Sequence, residues 1–351
     1  MAAVRASWVL APLHVAALAT GAKSFRDNPV IGSSALNRAG LHVARVRLAG
    51  QMAEWRRRRL RLLLSAEDRA AFERDGFVTK RDFLPPAAFA ALKEQVLGFA
   101  GPARQQMQGD AITRRIALDR AALTRLPLLR GMIESPEWLG LVRYVGTYML
   151  EPLVYIQSIF SRVREGPIDP QTWLHADAFH PSVKAWLFLT DVGEDDGPFV
   201  YVPGSHRPTQ RRLAWERRVS IDAAASADFQ TSRGSLRITP ETVRRLGLPE
   251  PKAFAVPANT LVVADMVGFH ARGVSARPSV RVEIWAYGRR NPFLPWTGWD
   301  VAAMPFVKGH AVPFYWSAVD LAERAGLARN AWRRAGIVTP AAPADLAVHR
   351  G

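Results

Sequence analysis

The sequence predicts a mainly β protein with flanking helices, built as one large domain with appendages. Short apolar runs separated by turn residues fill the middle of the chain, among them "LVYIQSIFSRV", "TWLHADAF", "VKAWLFLTDV", "GPFVYVPGS", "NTLVVADMV" and "SVRVEIWAYG". This spacing is typical of an all-β sandwich or barrel, and the helices that a parallel β–α–β arrangement needs between its strands are missing. With 351 residues and 48% hydrophobic content, the chain can bury a sizeable core.

In chain order, the sequence divides into three parts. Residues 1–64 are a basic, partly apolar segment, and residues 65–300 form the main domain. That domain begins with a helix, the short strand "GFVTK" and a second helix. Ser65 with an acid three residues later marks the first helix start, and Pro85 and Pro86 suit the second.

Further helices are expected over residues 120–150 and in an insertion between strands at about 210–250. Residues 301–351 follow as a helical segment, "SAVDLAERAGLARNAWRRAG", and a Pro/Ala-rich tail that we expect to be mobile.

Composition restricts the chemistry. The chain has no cysteine, which excludes disulfides, zinc ribbons, iron–sulfur clusters and thiol nucleophiles. Its net charge of +16 predicts attraction to an anionic partner. Residues 1–65 hold eleven Arg or Lys against two acids, so more than half of the excess charge is N-terminal.

The N-terminal run "ASWVLAPLHVAALATGA" is interrupted by Pro12 and His14, which argues against a bilayer-spanning helix. Three alternatives stay open for residues 1–22: a cleaved signal peptide, a docked helix, or an interfacial anchor. The anchor is favoured because it also places the arginines from Arg56 to Arg61 against anionic head groups. Nucleic acid is disfavoured because this basic run has no interleaved aromatic platform.

The stretch "WLHADAFH" carries the strongest chemical signal. In a strand, His175 and Asp177 share a face, and with a distant histidine they make the facial triad that holds Fe(II) and leaves three positions open. "GFHARGV" supplies His270, and Arg281 follows eleven residues later. A guanidinium projecting beside the metal suits a dicarboxylate co-substrate.

Four other side chains are secondary candidates. Gln157 and Lys184 lie on predicted strands and are candidates to contact the co-substrate. The alternatives are a polar residue lining a wet barrel mouth for Gln157, and an anionic substrate as the partner or a plain edge position for Lys184. His180 stays open between orienting the substrate and a position at a surface or loop edge, and His206 is expected to cap a turn and not to bind the metal.

The chain resembles the phytanoyl-CoA dioxygenase family of Fe(II)- and 2-oxoglutarate-dependent oxygenases. The resemblance covers roughly residues 65–295 and lies in the order of "GFVTKRDFLPP", "LHAD", "TDVGEDDGPFVYVPGSH" and "FHARGV" followed by Arg281. It implies a double-stranded β-helix, or jelly roll. It also implies His175, Asp177 and His270 as iron ligands, Arg281 as the clamp for 2-oxoglutarate, and Fe(II), 2-oxoglutarate and O2 as requirements. Hydroxylation is favoured over halogenation because Asp177 supplies the carboxylate ligand that related halogenases lack.

The resemblance leaves the substrate open. We favour an anionic envelope lipid or its sugar head group, because a membrane-prone N-terminus would bring the barrel mouth to it, in the cytoplasm and on the inner face of the membrane. The first alternative is hydroxylation of a soluble acyl or natural-product intermediate. The alternative from another class is a non-catalytic basic jelly roll that binds membrane or nucleic acid. The sequence carries no signal for the oligomeric state.

Overall fold

Two antiparallel sheets form the centre of the computed structural model, which describes residues 12–304, 306–327 and 329–349. The strands are β1 (Phe77–Lys80), β2 (Gly101–Gln108), β3 (Ala111–Ala117), β4 (Leu153–Ser161), β5 (Val183–Phe188), β6 (Phe199–Tyr201), β7 (Lys252–Ala253), β8 (Leu261–Asp265), β9 (His270–Arg272), β10 (Ser279–Gly288) and β11 (Arg333–Val338). The larger sheet has the order β1-β8-β5-β10-β4-β3-β2-β11, and the smaller has the order β7-β6-β9.

Helices flank these sheets and fill the insertion between β6 and β7. They are α1 (Ser34–Ala39), α2 (Leu41–Leu60), α3 (Ala66–Asp75), α4 (Pro86–Leu97), α5 (Arg120–Arg125), α6 (Pro127–Ile133), α7 (Pro136–Gly146), α8 (Gln210–Asp222), α9 (Phe229–Ser232), α10 (Pro240–Arg245) and α11 (Ala311–Arg324). Ser65 caps α3 as predicted, accepting a hydrogen bond from the Asp68 amide. The prediction of a mainly β fold with flanking helices and a double-stranded β-helix core is confirmed.

Side chains along the central strands point alternately to two faces of the sheet, and the core lies on one face and the site on the other. On β10, Val282 and Ile284 pack into the core between the larger sheet and the helices. Their neighbours Arg281, Trp285 and Tyr287 line a cavity on the opposite face. Because successive side chains of a strand point to opposite faces, one strand serves both the core and the site.

The N-terminal segment packs on the sheets. Leu60 at the end of α2 joins the main core, and Val46 packs with Phe179 and Leu213. None of the helices in the described ranges is apolar over a length that would cross a membrane. Residues 6–11, the first part of the predicted apolar run, lie outside the described residues.

The prediction that the arginines from Arg56 to Arg61 face head groups is wrong for the first two. Arg56 is buried and donates to the carbonyl oxygens of Pro292 and Leu294 at 2.9 and 3.0 Å. Arg57 pairs with the buried Asp265 at 2.8 Å. These two arginines hold α2 onto the protein, while Arg58, Arg59 and Arg61 stay exposed.

Two other local predictions are wrong. "WLHADAFH" is not a continuous strand, because His175 makes only isolated bridges, to Arg237 and His270. The predicted C-terminal helix ends at Arg324, and Arg333–Val338 instead adds β11 to the edge of the larger sheet beside β2.

The tail after β11 is held in place, contrary to the expectation that it is mobile. The Arg114 guanidinium donates to the carbonyl oxygens of residues 339, 340, 342 and 343. The Ser158 hydroxyl donates to the Pro340 carbonyl at 2.7 Å. Several hydrogen bonds from a buried cation therefore fix this segment against β3 and β4.

Candidate active site

The three predicted metal ligands lie together between the two sheets. The Nε2 atoms of His175 and His270 each lie 3.5 Å from Asp177 Oδ1, and one ligand atom from each of the three residues fits within 4.8 Å of the others. The backbones are tied together as well, since the amide of each histidine donates to the carbonyl of the other at 2.9 Å. His175 and Asp177 thus face one point, as predicted, even though no regular strand carries them.

Both histidines present the correct nitrogen for a metal. His175 Nδ1 lies 2.7 Å from the Trp173 carbonyl oxygen, and His270 Nδ1 lies 2.9 Å from that of Gly268. A carbonyl can only accept, so each Nδ1 carries the proton and each Nε2 offers a lone pair to the site. His270 Nε2 is buried without a hydrogen-bond partner in the described chain, as expected of an atom meant for a metal.

Electrostatics keep this ligand set ready for a cation. Burial lowers the pKa of His270 to about 4, so its imidazole is neutral near pH 7. Burial opposes the charged form of Asp177, but Lys184, His270 and His175 together hold the pKa of this carboxyl well below its usual range. Imidazole nitrogens and a carboxylate are ligand types that suit a divalent metal such as Fe(II).

Two lysines position Asp177. Lys184 Nζ lies 2.6 Å from Oδ2, the carboxylate oxygen that does not face the histidines. From the N-terminal segment, Lys23 Nζ donates to the Asp177 backbone oxygen at 2.5 Å and to Ser235 Oγ at 2.6 Å. Lys184 was predicted to contact the co-substrate, and in the structure its partner is the Asp177 carboxylate. Sequence reasoning missed Lys23, whose partner lies 154 residues away.

Arg281 lies in the same cavity but is already bound to a carboxylate. Its Nε donates to Glu283 Oε2 at 2.8 Å, and its Nη1 donates to the Gly197 carbonyl at 2.7 Å. Gln157 Nε2 donates to the other Glu283 oxygen at 2.6 Å, and Arg115 Nε donates to Gln157 Oε1 at 2.8 Å. Gln157 and the buried Glu283 carboxylate therefore link the guanidinium groups of Arg115 and Arg281.

The remaining wall of the cavity is aromatic and cationic. The cavity holds about 450 Å³ and includes Trp186, Trp285, Tyr287 and Trp332. The Arg115 guanidinium carbon lies 3.9 Å from the Trp285 ring centroid and 4.6 Å from that of Trp332. Sequence reasoning missed Arg115, because its strand carries too many polar residues to be recognised as one.

The other arginines near the predicted clamp have partners of their own. Arg272 lines the cavity and pairs with Asp169 at 2.5 Å. Arg277 is exposed and pairs with Asp196 at 2.9 Å, outside the cavity.

His180 and His206 lie outside this cavity. The His180 side chain is fully buried, with Nδ1 2.9 Å from the Pro181 carbonyl oxygen, and burial lowers its pKa to about 3. The His206 ring packs 5.3 Å from that of Phe72, and burial lowers its pKa to about 3 as well. Both are neutral side chains that lie outside the candidate active site.

Comparison with known proteins gives a curated relative and several solved structures. Ectoine dioxygenase from Bordetella bronchiseptica is 27% identical over 159 residues, which is 41% of this chain and 50% of that protein. A second match, ectoine dioxygenase from Bordetella parapertussis, has the same figures. The chain therefore spans about half the length of the curated relatives it matches.

Two solved structures are among those to which the chain is similar. The epimerase SnoN, in complex with Fe3+, alpha ketoglutarate and nogalamycin RO, is 17% identical and covers 67% of this chain and 91% of its own, with a TM-score of 0.41. HygX from Streptomyces hygroscopicus, with nickel and 2-oxoglutarate bound, is 17% identical and covers 70% of this chain and 94% of its own, with a TM-score of 0.39.

The family model described as phytanoyl-CoA dioxygenase matches residues 72–239. This range contains His175 and Asp177 and ends before His270, which the structure brings to the same point. The resemblance to this family, predicted from the order of motifs, is confirmed over this range: residues 72–239 of the chain match the phytanoyl-CoA dioxygenase family model.

Proposed function

We propose that this protein is an Fe(II)- and 2-oxoglutarate-dependent dioxygenase that hydroxylates a small organic molecule. The observation that carries the proposal is the grouping of three metal-binding atoms: the Nε2 atoms of His175 and His270 each lie 3.5 Å from Asp177 Oδ1. His175, Asp177 and His270 would hold the metal on one face and leave the cavity side open. When bound, Fe(II), O2 and 2-oxoglutarate supply the oxidant, and 2-oxoglutarate leaves as succinate and CO2.

In that reaction, residues of this chain would orient a metal ligand, bind the co-substrate and shield the reacting centre from water. Lys184 pairs with the Asp177 oxygen that does not face the histidines, so Oδ1 is left for the metal. Arg281 has donors left to hold the remote carboxylate of 2-oxoglutarate. Trp186, Trp285 and other aromatic rings of the wall would exclude water around the reacting centre.

The cavity favours a substrate with an apolar or planar part and an anionic group. Its indole rings offer stacking surface, and the Arg115 guanidinium faces the same space with donors beyond the one bound to Gln157. A soluble acyl or natural-product intermediate has this character.

A lipid substrate and a peripheral membrane location form a second proposal. They are supported by the exposed Arg58, Arg59 and Arg61 and by Leu62, which is 88% exposed. The burial of Arg56 and Arg57 removes two of the cations on which the membrane anchor relied.

Succinate formation tests the proposed reaction. Protein purified without metal is reconstituted with Fe(II), supplied with 2-oxoglutarate and exposed to O2. We expect slow succinate release by the wild type, and loss of that release in His175→Ala and in Asp177→Ala. Release that persists in both variants would contradict the ligand assignment. Comparing extracts of cells with and without the protein for a single added oxygen then identifies the substrate.

A further inference from the structure

A second cavity, lined by arginines, lies beside α2 and outside the candidate active site. It holds about 780 Å³, a size that suits a small-molecule ligand. One stripe of α2 and the turn after it forms a wall, because Arg47, Glu54, Arg58 and Arg61 recur at intervals of three to seven residues. The arginines of this cavity are Arg47, Arg57, Arg58, Arg61, Arg69, Arg207 and Arg212.

Most of these cations have no carboxylate partner. Arg57 pairs with Asp265, and Arg212 pairs with Glu216 at 2.7 Å. For the other five arginines, the described part of the chain offers no ion pair, while two further acids, Glu54 and Glu73, line the cavity. The unpaired charges leave an excess of three positive charges around one concave space. Like charges gathered around one concave space favour the binding of an anion there.

The cavity also has an apolar side. Val46, Phe72, Phe179 and Leu213 line it together with the arginines. A ligand that fills it would therefore combine several negative charges with an organic body. Guanidinium groups favour phosphate oxygens because they donate in a planar fork.

We propose that this cavity binds a small molecule that carries a diphosphate or two phosphate groups. The proposal does not depend on the dioxygenase chemistry, because Arg58, Arg61 and Arg207 are exposed and lie outside the active-site cavity. The two cavities are neighbours: Met266, directly after Asp265, accepts the amide hydrogen of Asp177 at 3.0 Å. A ligand beside α2 would thus lie behind the segment that carries a metal ligand.

Calorimetric titration of the full-length protein with inorganic pyrophosphate tests the proposal. The triple variant Arg58→Gln, Arg61→Gln, Arg207→Gln removes three cavity charges. Its matched control is Arg81→Gln, Arg244→Gln, Arg324→Gln, which removes three exposed charges elsewhere. We expect binding that weakens with salt, that falls at least tenfold in the cavity triple and that persists in the control.

Three results would overturn the proposal. They are no pyrophosphate binding by the wild type, an equal loss in both triples, and binding only to vesicles containing anionic phospholipid, which would make the surface a membrane site. The absorption band of bound Fe(II) and 2-oxoglutarate, recorded in the cavity triple, separates this test from that of the dioxygenase. It should be retained whether or not pyrophosphate binds.

Discussion

Arg281 and Glu283 form a buried ion pair on one face of β10, with Arg281 Nε 2.8 Å from Glu283 Oε2. The guanidinium proposed to hold 2-oxoglutarate therefore already has an internal carboxylate beside it. Arginine has five donors, and Nε and Nη1 account for two hydrogen bonds here, so donors remain for a second carboxylate. Binding of the co-substrate would place two carboxylates around one cation.

Removal of Arg281 should raise the 2-oxoglutarate requirement. A charge-assisted hydrogen-bonded contact contributes about 1.5–3 kcal/mol, so Arg281→Ala should increase the Kd for 2-oxoglutarate by roughly 10- to 150-fold. Arg277→Ala is the matched control, because that arginine is exposed and pairs with Asp196 outside the cavity. An unchanged Kd in Arg281→Ala would transfer the clamp to another arginine, with Arg272 the next to test.

Neutralising Glu283 should have the opposite effect. In Glu283→Gln, the side chain keeps its volume and loses the charge that competes for Arg281, so 2-oxoglutarate should bind more tightly. We expect a gain of about 1 kcal/mol, or roughly fivefold in Kd. Calorimetry with the metal-loaded variant measures it. Weaker binding would mean that Glu283 positions Arg281 and does not compete with the co-substrate.

Replacement of Lys184 should weaken the metal site. Because Lys184 Nζ holds Asp177 Oδ2 at 2.6 Å, Lys184→Met should lower Fe(II) affinity by about 10- to 100-fold, as loss of an outer partner of a metal ligand does. Lys252→Met, on the smaller sheet and outside the cavity, is the control. If metal affinity stays unchanged while the 2-oxoglutarate requirement rises, Lys184 contacts the co-substrate, as the sequence suggested.

Acid should destabilise the metal-free protein through His206. Its pKa is lowered by burial from 6.5 to about 3, so between pH 6.5 and 5 the unfolded chain binds a proton that the folded chain does not. The free energy of unfolding therefore falls as the pH falls, and at pH 5 this histidine lowers it by about 2 kcal/mol. Urea unfolding of His206→Gln at pH 7 and pH 5 should show a smaller difference between the two pH values than the wild type. An equal difference would contradict the burial assigned to this ring.

Strands with apolar alternation were predictable, and strands with buried polar groups were not. The central strands β4, β5, β8 and β10 carry Val, Ile and Leu toward the core and were identified. β2 and β3 were missed because buried Arg104 and Arg114 interrupt their pattern. The partners of these cations, Asp320 and the tail carbonyls, lie more than 200 residues away in sequence, so no local pattern reveals them.

Some residues of the candidate site were likewise predictable from the sequence and others were not. His175, Asp177 and His270 were predicted to lie together because metal ligands have restricted residue types and an ordered spacing, and the structure brings the three side chains to one point. Arg115 and Lys23 were not, because their roles depend on contacts that exist only after folding. The prediction for the basic run at the end of α2 was partly wrong, because the sequence does not show which face of the helix packs against the protein. Arg56 and Arg57 turn inward, whereas Arg58 and Arg61 do not.

Anaerobic addition of Fe(II) and 2-oxoglutarate probes the proposed metal site itself. If His175, Asp177 and His270 hold the metal and leave adjacent positions open, the keto acid will chelate it and give a weak visible charge-transfer band. We expect this band in the wild type and its loss in Asp177→Ala and in His270→Ala, with circular dichroism showing that both variants keep the fold. A band of undiminished intensity in both variants, or no band in the folded wild type, would contradict the proposed metal site.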